Sequence, residues 1–176
     1  PGLETLRKFR TLAIDMNGNH FACWILNPDG NPVGQPATFE LDLTNKTAGQ
    51  RDALLRHTIS RILRYAQDNG CLSISIENLN FACESEGRES TQTSKRLRRI
   101  ITGMPTAQFR DRLVAMAHAS SVYVVAVDPA YTSRWAKEHW ATFLQERGKK
   151  TPRVSVTGHH AAAVVIGRRA YGHRAR

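Results

Sequence analysis

The sequence predicts an α/β fold with three layers, in which a mixed sheet lies between two sets of helices. Near the start, three short apolar segments separated by turn signals are typical of an antiparallel meander. Further along, two more apolar segments alternate with helical patterns, which favours parallel strands joined by helices. The length of 176 residues, 41% of them apolar, suits one domain with a buried core.

The meander strands are predicted at 12–16, 21–26 and 33–43. Residues 27–31 between the second and third strands form a turn signal, in which Gly30 supplies a positive φ.

A long amphipathic helix is predicted next. Thr47 and Gln50 have the spacing of a capping box. Behind them, apolar residues recur with the helical period, at Leu55, Ile59, Ile62 and Ala66. We expect the helix to end at Gly70.

The later segments alternate between strands and helices. A strand at 71–76 ends in Glu77, and the nearly continuous apolar run at 122–127 is typical of a buried parallel strand. Helices are expected at 93–102, after Pro105, at 132–147 and at 157–171, with a polar loop that we expect to be mobile at 79–94 and a basic linker at 148–152.

The helix after the third strand can return the chain so that the fourth strand lies parallel beside the first. That topology resembles the RNase H-like fold, an analogy between folds. We expect residues 1–176 to form a single domain, and the initial Pro1 suggests a fragment of a longer chain.

The net charge of +10 favours a polyanionic partner, although a solubilising surface has the same composition. Basic residues that neutralise phosphates would make binding depend on salt. The residues that we predict to bind nucleic acid lie in three clusters and are Lys95, Arg96, Arg98, Arg99, Lys149, Lys150, Arg168 and Arg169.

Composition also limits the compartment and the metals. The three cysteines are odd in number and widely spaced, and no C-x-x-C motif occurs, so we expect a reducing cytoplasm and no zinc site. No apolar run reaches the length of a membrane span, so no membrane partner is expected.

Asp15 and Glu77 are the candidate catalytic residues. Asp15 is an acidic residue inside an apolar strand, and Glu77 ends another strand, where open α/β sheets place their sites. If the two strands are neighbours, both carboxylates can reach a divalent cation such as Mg²⁺ or Mn²⁺, and a two-metal site would hydrolyse a phosphodiester. The alternative is that Asp15 caps a turn and Glu77 pairs with an arginine.

Six segments of the chain resemble segments of the OrfB/TnpB-like proteins of bacterial insertion sequences, and they follow one another along the chain in the same order as in that family. The most specific is the run DPAYTS at 128–133, together with the acidic strands LAIDMN at 12–17 and ISIENL at 74–79. The others are the turn at 27–34, GMPT at 103–106 and the final helix at 159–169.

The resemblance implies a RuvC-type nuclease domain that cuts DNA with a guide RNA. It maps the catalytic and metal-binding carboxylates onto Asp15 and Glu77, and the third acidic position onto His160 beside His159. A neutral histidine is able to bind a metal or transfer a proton, but it removes one negative charge from the site.

The zinc ribbon of the family is replaced here by a short segment with tryptophans. Trp135 and Trp140 either stack on bases or pack in the core. Asp128 before Pro129 ranks below His160 as a ligand because this pattern commonly makes a turn.

Three functions remain open. The first is a divalent-metal-dependent DNA endonuclease domain of a transposon-encoded, RNA-guided protein. The second is a catalytically weakened or inactive nucleic-acid-binding protein of the same fold, for which His160 is the reason. The third is an actin-like ATP-binding domain, which also opens with an Asp-bearing strand and a hairpin but needs a second phosphate-binding hairpin that the sequence lacks.

Overall fold

In the computed structural model, which describes residues 1–78, 106–151 and 154–174, five strands form one mixed sheet in the order β3-β2-β1-β4-β5. The first three strands pair antiparallel, and β4 and β5 continue the sheet in parallel from β1. The strands are β1 Arg10–Met16, β2 His20–Leu26, β3 Pro32–Glu40, β4 Cys71–Glu77 and β5 Tyr123–Val127. The predicted three-layer fold with a mixed sheet is confirmed.

The helices lie close to where the sequence predicts them. They are α1 Leu3–Leu6, α2 Ala48–Asp68, α3 Thr106–Ala119, α4 Thr132–Trp135, a π-helical turn Ala136–Trp140, α5 Ala141–Lys149 and α6 Gly158–Ala170. Within the described ranges, no helix has both the length and the apolar character of a membrane-spanning segment. The loop predicted at 79–94 and the helix predicted at 93–102 lie outside the described residues.

The end of the third strand and the start of the basic linker differ from the prediction. The third strand ends at Glu40 rather than at 43, because Glu40 pairs with His20, the first residue of β2. Beyond this pair, the Leu41 N–H donates to the carbonyl oxygen of Asn19, which lies in the turn before β2. Leu41 and Leu43 are nevertheless buried. The basic linker predicted from 148 is wrong at its start, since α5 continues to Lys149.

One face of the sheet packs on α2 and α3. The capping box that begins α2 is confirmed, with the Thr47 side chain accepting from the Gln50 backbone N–H. The predicted apolar stripe of this helix is buried against alternate side chains of β1, including Leu12 and Ile14. Phe109 and Leu113 of α3 join the same core. The apolar residues spaced with the helical period and those that alternate along the strands are therefore buried against each other on this face.

The opposite face packs on α6, whose small residues allow a close approach. Ala13, Trp24 and Leu26 of the sheet contact a run of buried alanines and valines in this helix. A Cβ at Gly167 would lie 2.7 Å from Leu26 Cδ1 and 2.9 Å from Ala13 Cβ, so only glycine fits at the contact.

The prediction of a buried strand at 122–127 is wrong in its degree of burial. β5 pairs in parallel with β4, as expected, but most of its residues are only half-buried and Ala126 is exposed. The reason is its position: β5 is the last strand of the described sheet and has β4 as its one strand neighbour there.

We predict that Gly167→Ala destabilises the protein by about 1–3 kcal/mol, because the added methyl group must displace Leu26 or Ala13. Urea unfolding followed by circular dichroism measures the change. Gly49→Ala in α2 is the matched control, since no atom lies within 4 Å of its added Cβ and alanine favours a helix. A Gly167→Ala protein as stable as the Gly49→Ala protein would contradict the close packing.

Candidate active site

Asp15 and Glu77 lie side by side at one edge of the sheet. Ile14 of β1 pairs with Ile76 of β4 in parallel, so the next residues along the two strands are Asp15 and Glu77. Adjacent strands lie about 4.8 Å apart, and equivalent positions of parallel strands point to the same face. Asp15 is fully buried and Glu77 is 7% exposed. Two buried carboxyl groups therefore occupy neighbouring positions, on the face that α6 covers.

Two side chains hold the Asp15 carboxylate from separate parts of the chain. His159, in the first turn of α6, donates from Nδ1 to Asp15 Oδ2 at 3.0 Å, because a carboxylate only accepts. Asn17 donates from Nδ2 to the same oxygen at 3.2 Å. Nδ1 therefore carries a proton, and the His159 side chain is about half exposed.

His160, onto which the resemblance maps the third site position, has another set of contacts. Its Nδ1 accepts from the Thr157 backbone N–H at 3.0 Å, which closes a capping box at the start of α6. Its Nε2 therefore carries the proton and lies 2.8 Å from Thr38 Oγ1. The ring is only 4% exposed. His160 thus caps a helix and links it to β3, and His159 is the histidine that contacts Asp15.

Sequence reasoning missed two residues of the site, Asn17 and His20. His20 begins β2, and its ring centroid lies 5.3 Å from that of His159. Burial, reinforced by the nearby His159, lowers the pKa of His20. The signal available in the sequence was the hairpin itself: Asp15 pairs with Ala22 across it, so residues near its tip return to the carboxylate.

The donor chemistry fits one hard cation better than two. Carboxylate oxygens are ligands that Mg²⁺ and Mn²⁺ prefer, and Mg²⁺ keeps several of its waters when few carboxylates bind it. Within 1–78, 106–151 and 154–174, however, no group of three or more His, Cys, Asp or Glu side chains is arranged to hold a metal ion. Asp15 and Glu77 are therefore the two candidate ligands, with His159 beside them.

The predicted nucleic-acid-binding residues fall into three groups. Lys95, Arg96, Arg98 and Arg99 lie outside the described residues. Lys149 and Lys150 are exposed at the end of α5. Arg168, by contrast, is buried, with its guanidinium donating to the backbone oxygens of Gly30 and Arg174. The described contacts of Arg168 are therefore structural.

The tryptophan segment is attached to α6 by two arginines. Arg168 lies over the Trp140 ring, 5.0 Å from its centroid, and Arg169 lies 4.9 Å from the centroid of Trp135. Arg169 also donates to the Ala130 carbonyl oxygen. Both tryptophans are half-buried and pack on the core of the α6 face. Asp128 makes a turn, as its sequence context indicates, by accepting from the Ala130 backbone N–H at 2.8 Å.

Solved structures of the same fold include two proteins in complexes with nucleic acid. The chain is similar to Thermus thermophilus RuvC in complex with a Holliday junction substrate, with a TM-score of 0.57 and 12% identity over 93% of this chain and 94% of that one. It is also similar to Cas12f1 in a complex with sgRNA and target DNA, with a TM-score of 0.57 and 15% identity over 95% of this chain. The matched region is 50% of the Cas12f1 chain.

No protein-family model matches the sequence, and no curated protein matches it. The structural similarity, at these low identities, establishes the fold. The chain has an RNase H-like fold of the RuvC type, as the order of strands and helices predicts.

We predict that His160 makes the protein less stable in mild acid. Burial lowers the pKa of His160 from 6.5 to about 4, so the unfolded chain takes up the proton first as the pH falls. The contribution to stability is complete above pH 6.5 and is lost down to about pH 4, by up to about 3 kcal/mol. Urea unfolding at a series of pH values measures it.

His160→Gln should flatten this pH dependence, because glutamine is able to accept the same cap bond, as Gln50 does from Thr47 in α2. His118→Gln, at an exposed position of α3, is the control and should keep the wild-type profile. If His160→Gln lost as much stability between pH 6.5 and pH 4 as the wild type does, His160 would not be the cause of the loss.

Proposed function

We propose that the chain is the nuclease domain of an OrfB/TnpB-like protein and hydrolyses phosphodiester bonds in DNA with a divalent cation. The observation that carries the proposal is the register of β1 and β4, which sets Asp15 beside Glu77 on a fold that it shares with Thermus thermophilus RuvC. The RuvC structure is a complex with a Holliday junction, so DNA is the substrate class to test.

In this proposal, Asp15 and Glu77 hold Mg²⁺ or Mn²⁺. When bound, the cation would activate water and stabilise the charge on the leaving oxygen of the phosphodiester. A cation also compensates the cost of burying two neighbouring carboxylates, which repel each other when both are ionised.

His159 is the candidate proton acceptor. Its Nδ1–H donates to Asp15, which fixes the tautomer and leaves the Nε2 lone pair to accept a proton from the attacking water. Asn17, two residues after Asp15 at the end of β1, donates to the same Asp15 oxygen and so helps to orient the carboxylate. His160 has a structural part, since its capping bond orients the turn that carries His159.

A guide RNA as second partner, and a cytoplasmic location, belong to the same proposal. The support for the RNA is the sequence resemblance and the fold shared with Cas12f1, a complex that contains an sgRNA. Its test is DNA cleavage after ribonuclease treatment of the protein purified with its native RNA. Loss of cleavage that the re-added RNA restores is the expected result; cleavage that is insensitive to ribonuclease would reject the guide.

We predict that Asp15→Asn and Glu77→Gln each abolish cleavage and leave DNA binding intact, because each removes a candidate cation ligand without changing the basic surface. The measurement is cleavage of labelled single strands, duplexes and four-way junctions in Mg²⁺ or Mn²⁺, with binding followed by fluorescence anisotropy. Asp52→Asn in α2 is the control, since this carboxylate pairs with Arg56 and Arg112 on the opposite layer. Cleavage by either site variant at the wild-type rate would reject the proposal.

Substitutions of the two adjacent histidines should have different effects on the cleavage rate in the same assay. His159→Ala should slow cleavage by about 100- to 10,000-fold if Nε2 accepts the proton. His160→Gln should keep most of the activity, because its contacts are with Thr157 and Thr38. The opposite order, with His160 essential and His159 dispensable, would reassign the third position to His160.

A second candidate is a nucleic-acid-binding protein of this fold that no longer cuts. The observation in its favour is that the described residues hold no group of three metal-binding side chains. Calorimetric titration with Mn²⁺ separates the two candidates. Binding that Asp15→Asn removes supports the nuclease, and the absence of binding supports the second candidate.

A further inference from the structure

Tyr131, in the segment that follows β5, has an exposed aromatic ring. Tyr131 is 63% exposed, more than any other large apolar or aromatic residue in the described ranges. The ring stacks on Trp135, with centroids 5.9 Å apart and planes 26° from parallel. Arg169 lies over the same tryptophan, 4.9 Å from the ring centroid. We call Tyr131, Trp135 and Arg169 the aromatic platform.

Arg169 contacts the backbone on one side of the exposed Tyr131 and a side chain on the other. Tyr131 has a φ of 62°, in the left-handed region that bulky residues rarely adopt. Arg169 donates to the Ala130 carbonyl oxygen and reaches Thr132 Oγ1, so the residues on both sides of Tyr131 are held by the arginine that covers Trp135. The backbone thus holds the ring in a conformation that costs energy, and the ring gains little burial from it.

The helical segment that begins at the platform is positive. The segment 131–150 contains five basic residues and two acidic ones, and Arg147, Lys149 and Lys150 are exposed at its end. Glu138 neutralises Arg134 through an ion pair of 2.8 Å. The remaining excess complements a phosphate backbone, and an open aromatic face complements an unpaired base. Bases inside a duplex are stacked on one another, so a duplex offers no such face.

The platform is also close to the candidate active site. Val127 pairs with Glu77, and Tyr131 follows Val127 by four residues. Even a fully extended chain of that length spans at most about 14 Å. A strand held on Tyr131 is therefore within a few nucleotides of the carboxylates.

We propose that the aromatic platform binds an unpaired base of single-stranded DNA, by stacking on Tyr131, and so holds the strand beside the carboxylate site. The choice of DNA rests on the proposed function, whereas the stacking itself rests on the exposed ring and its support.

The test is fluorescence anisotropy with a labelled oligo(dT), in EDTA so that no cleavage occurs. Tyr131→Ala should weaken binding about 5- to 30-fold, and Tyr131→Phe should bind as the wild type does, because stacking needs the ring and not the hydroxyl. Tyr131→Gly should show the same loss as Tyr131→Ala while relieving the positive φ, which separates binding from folding. Phe9→Ala, at another exposed aromatic, is the matched control and should have no effect.

An oligonucleotide of abasic sites completes the test. The wild type should bind it as weakly as Tyr131→Ala binds oligo(dT), and Tyr131→Ala should lose nothing further. Wild-type affinity in Tyr131→Gly, an equal loss in Phe9→Ala, or no effect of removing the bases would overturn the proposal. A Tyr131 effect confined to oligo(rU) would assign the platform to RNA and overturn the choice of DNA.

Failure of the proposed nuclease function would give a different set of results from failure of the stacking proposal. Asp15→Asn would then cut as the wild type does, or neither would cut, while the effect of Tyr131 on binding would remain.

Discussion

The parallel pairing of β1 with β4 is the constraint on which the molecule depends. It sets Ile14 beside Ile76 on the face covered by α2 and α3. On the other face it leaves a row of polar side chains along β4, with Ser73 and Ser75 buried before Glu77. Burying this row requires partners for every hydroxyl and carboxylate, because an unpaired polar group in a core is costly.

Partners for Ser73 and Asp15 come from the two ends of α6, and the partner of Ser75 comes from β1. At the carboxyl end of the helix, the Tyr171 hydroxyl lies 3.1 Å from Ser73 Oγ, and Thr11 bonds Ser75 at 2.8 Å within the sheet. At its amino end, His159 bonds Asp15. Gly167 between them lets the helix lie close enough to reach both. The packing that stabilises the fold is thus the same packing that brings a histidine to the carboxylate.

The carboxylate site and the aromatic platform differ in the contacts that support them. Asp15 and Glu77 are on strands with neighbours on both sides, whereas β5 and the aromatic platform lie at the end of the described sheet. β5 pairs with β4, and arginines hold the segment after it, through cation–π contacts with Trp135 and Trp140 and a bond from Arg169 to the Ala130 carbonyl oxygen. Of the basic residues that form clusters in the sequence, some therefore make contacts within the fold, as Arg168 does, and others are exposed on the surface, as Lys149 and Lys150 are.

The periodicity of apolar residues was enough to define the layers, since a strand or helix with one buried face records that face in its own sequence, as the Leu55 to Ala66 stripe of α2 does. An acidic residue within an apolar strand likewise marked Asp15. The tertiary structure alone decides which of the two neighbouring histidines contacts Asp15, because the placement of α6 on the sheet turns His159 toward Asp15 and His160 toward Thr38. The same holds for Arg168 and for the half-exposed β5, because burial depends on which segments, distant in sequence, are packed against a residue.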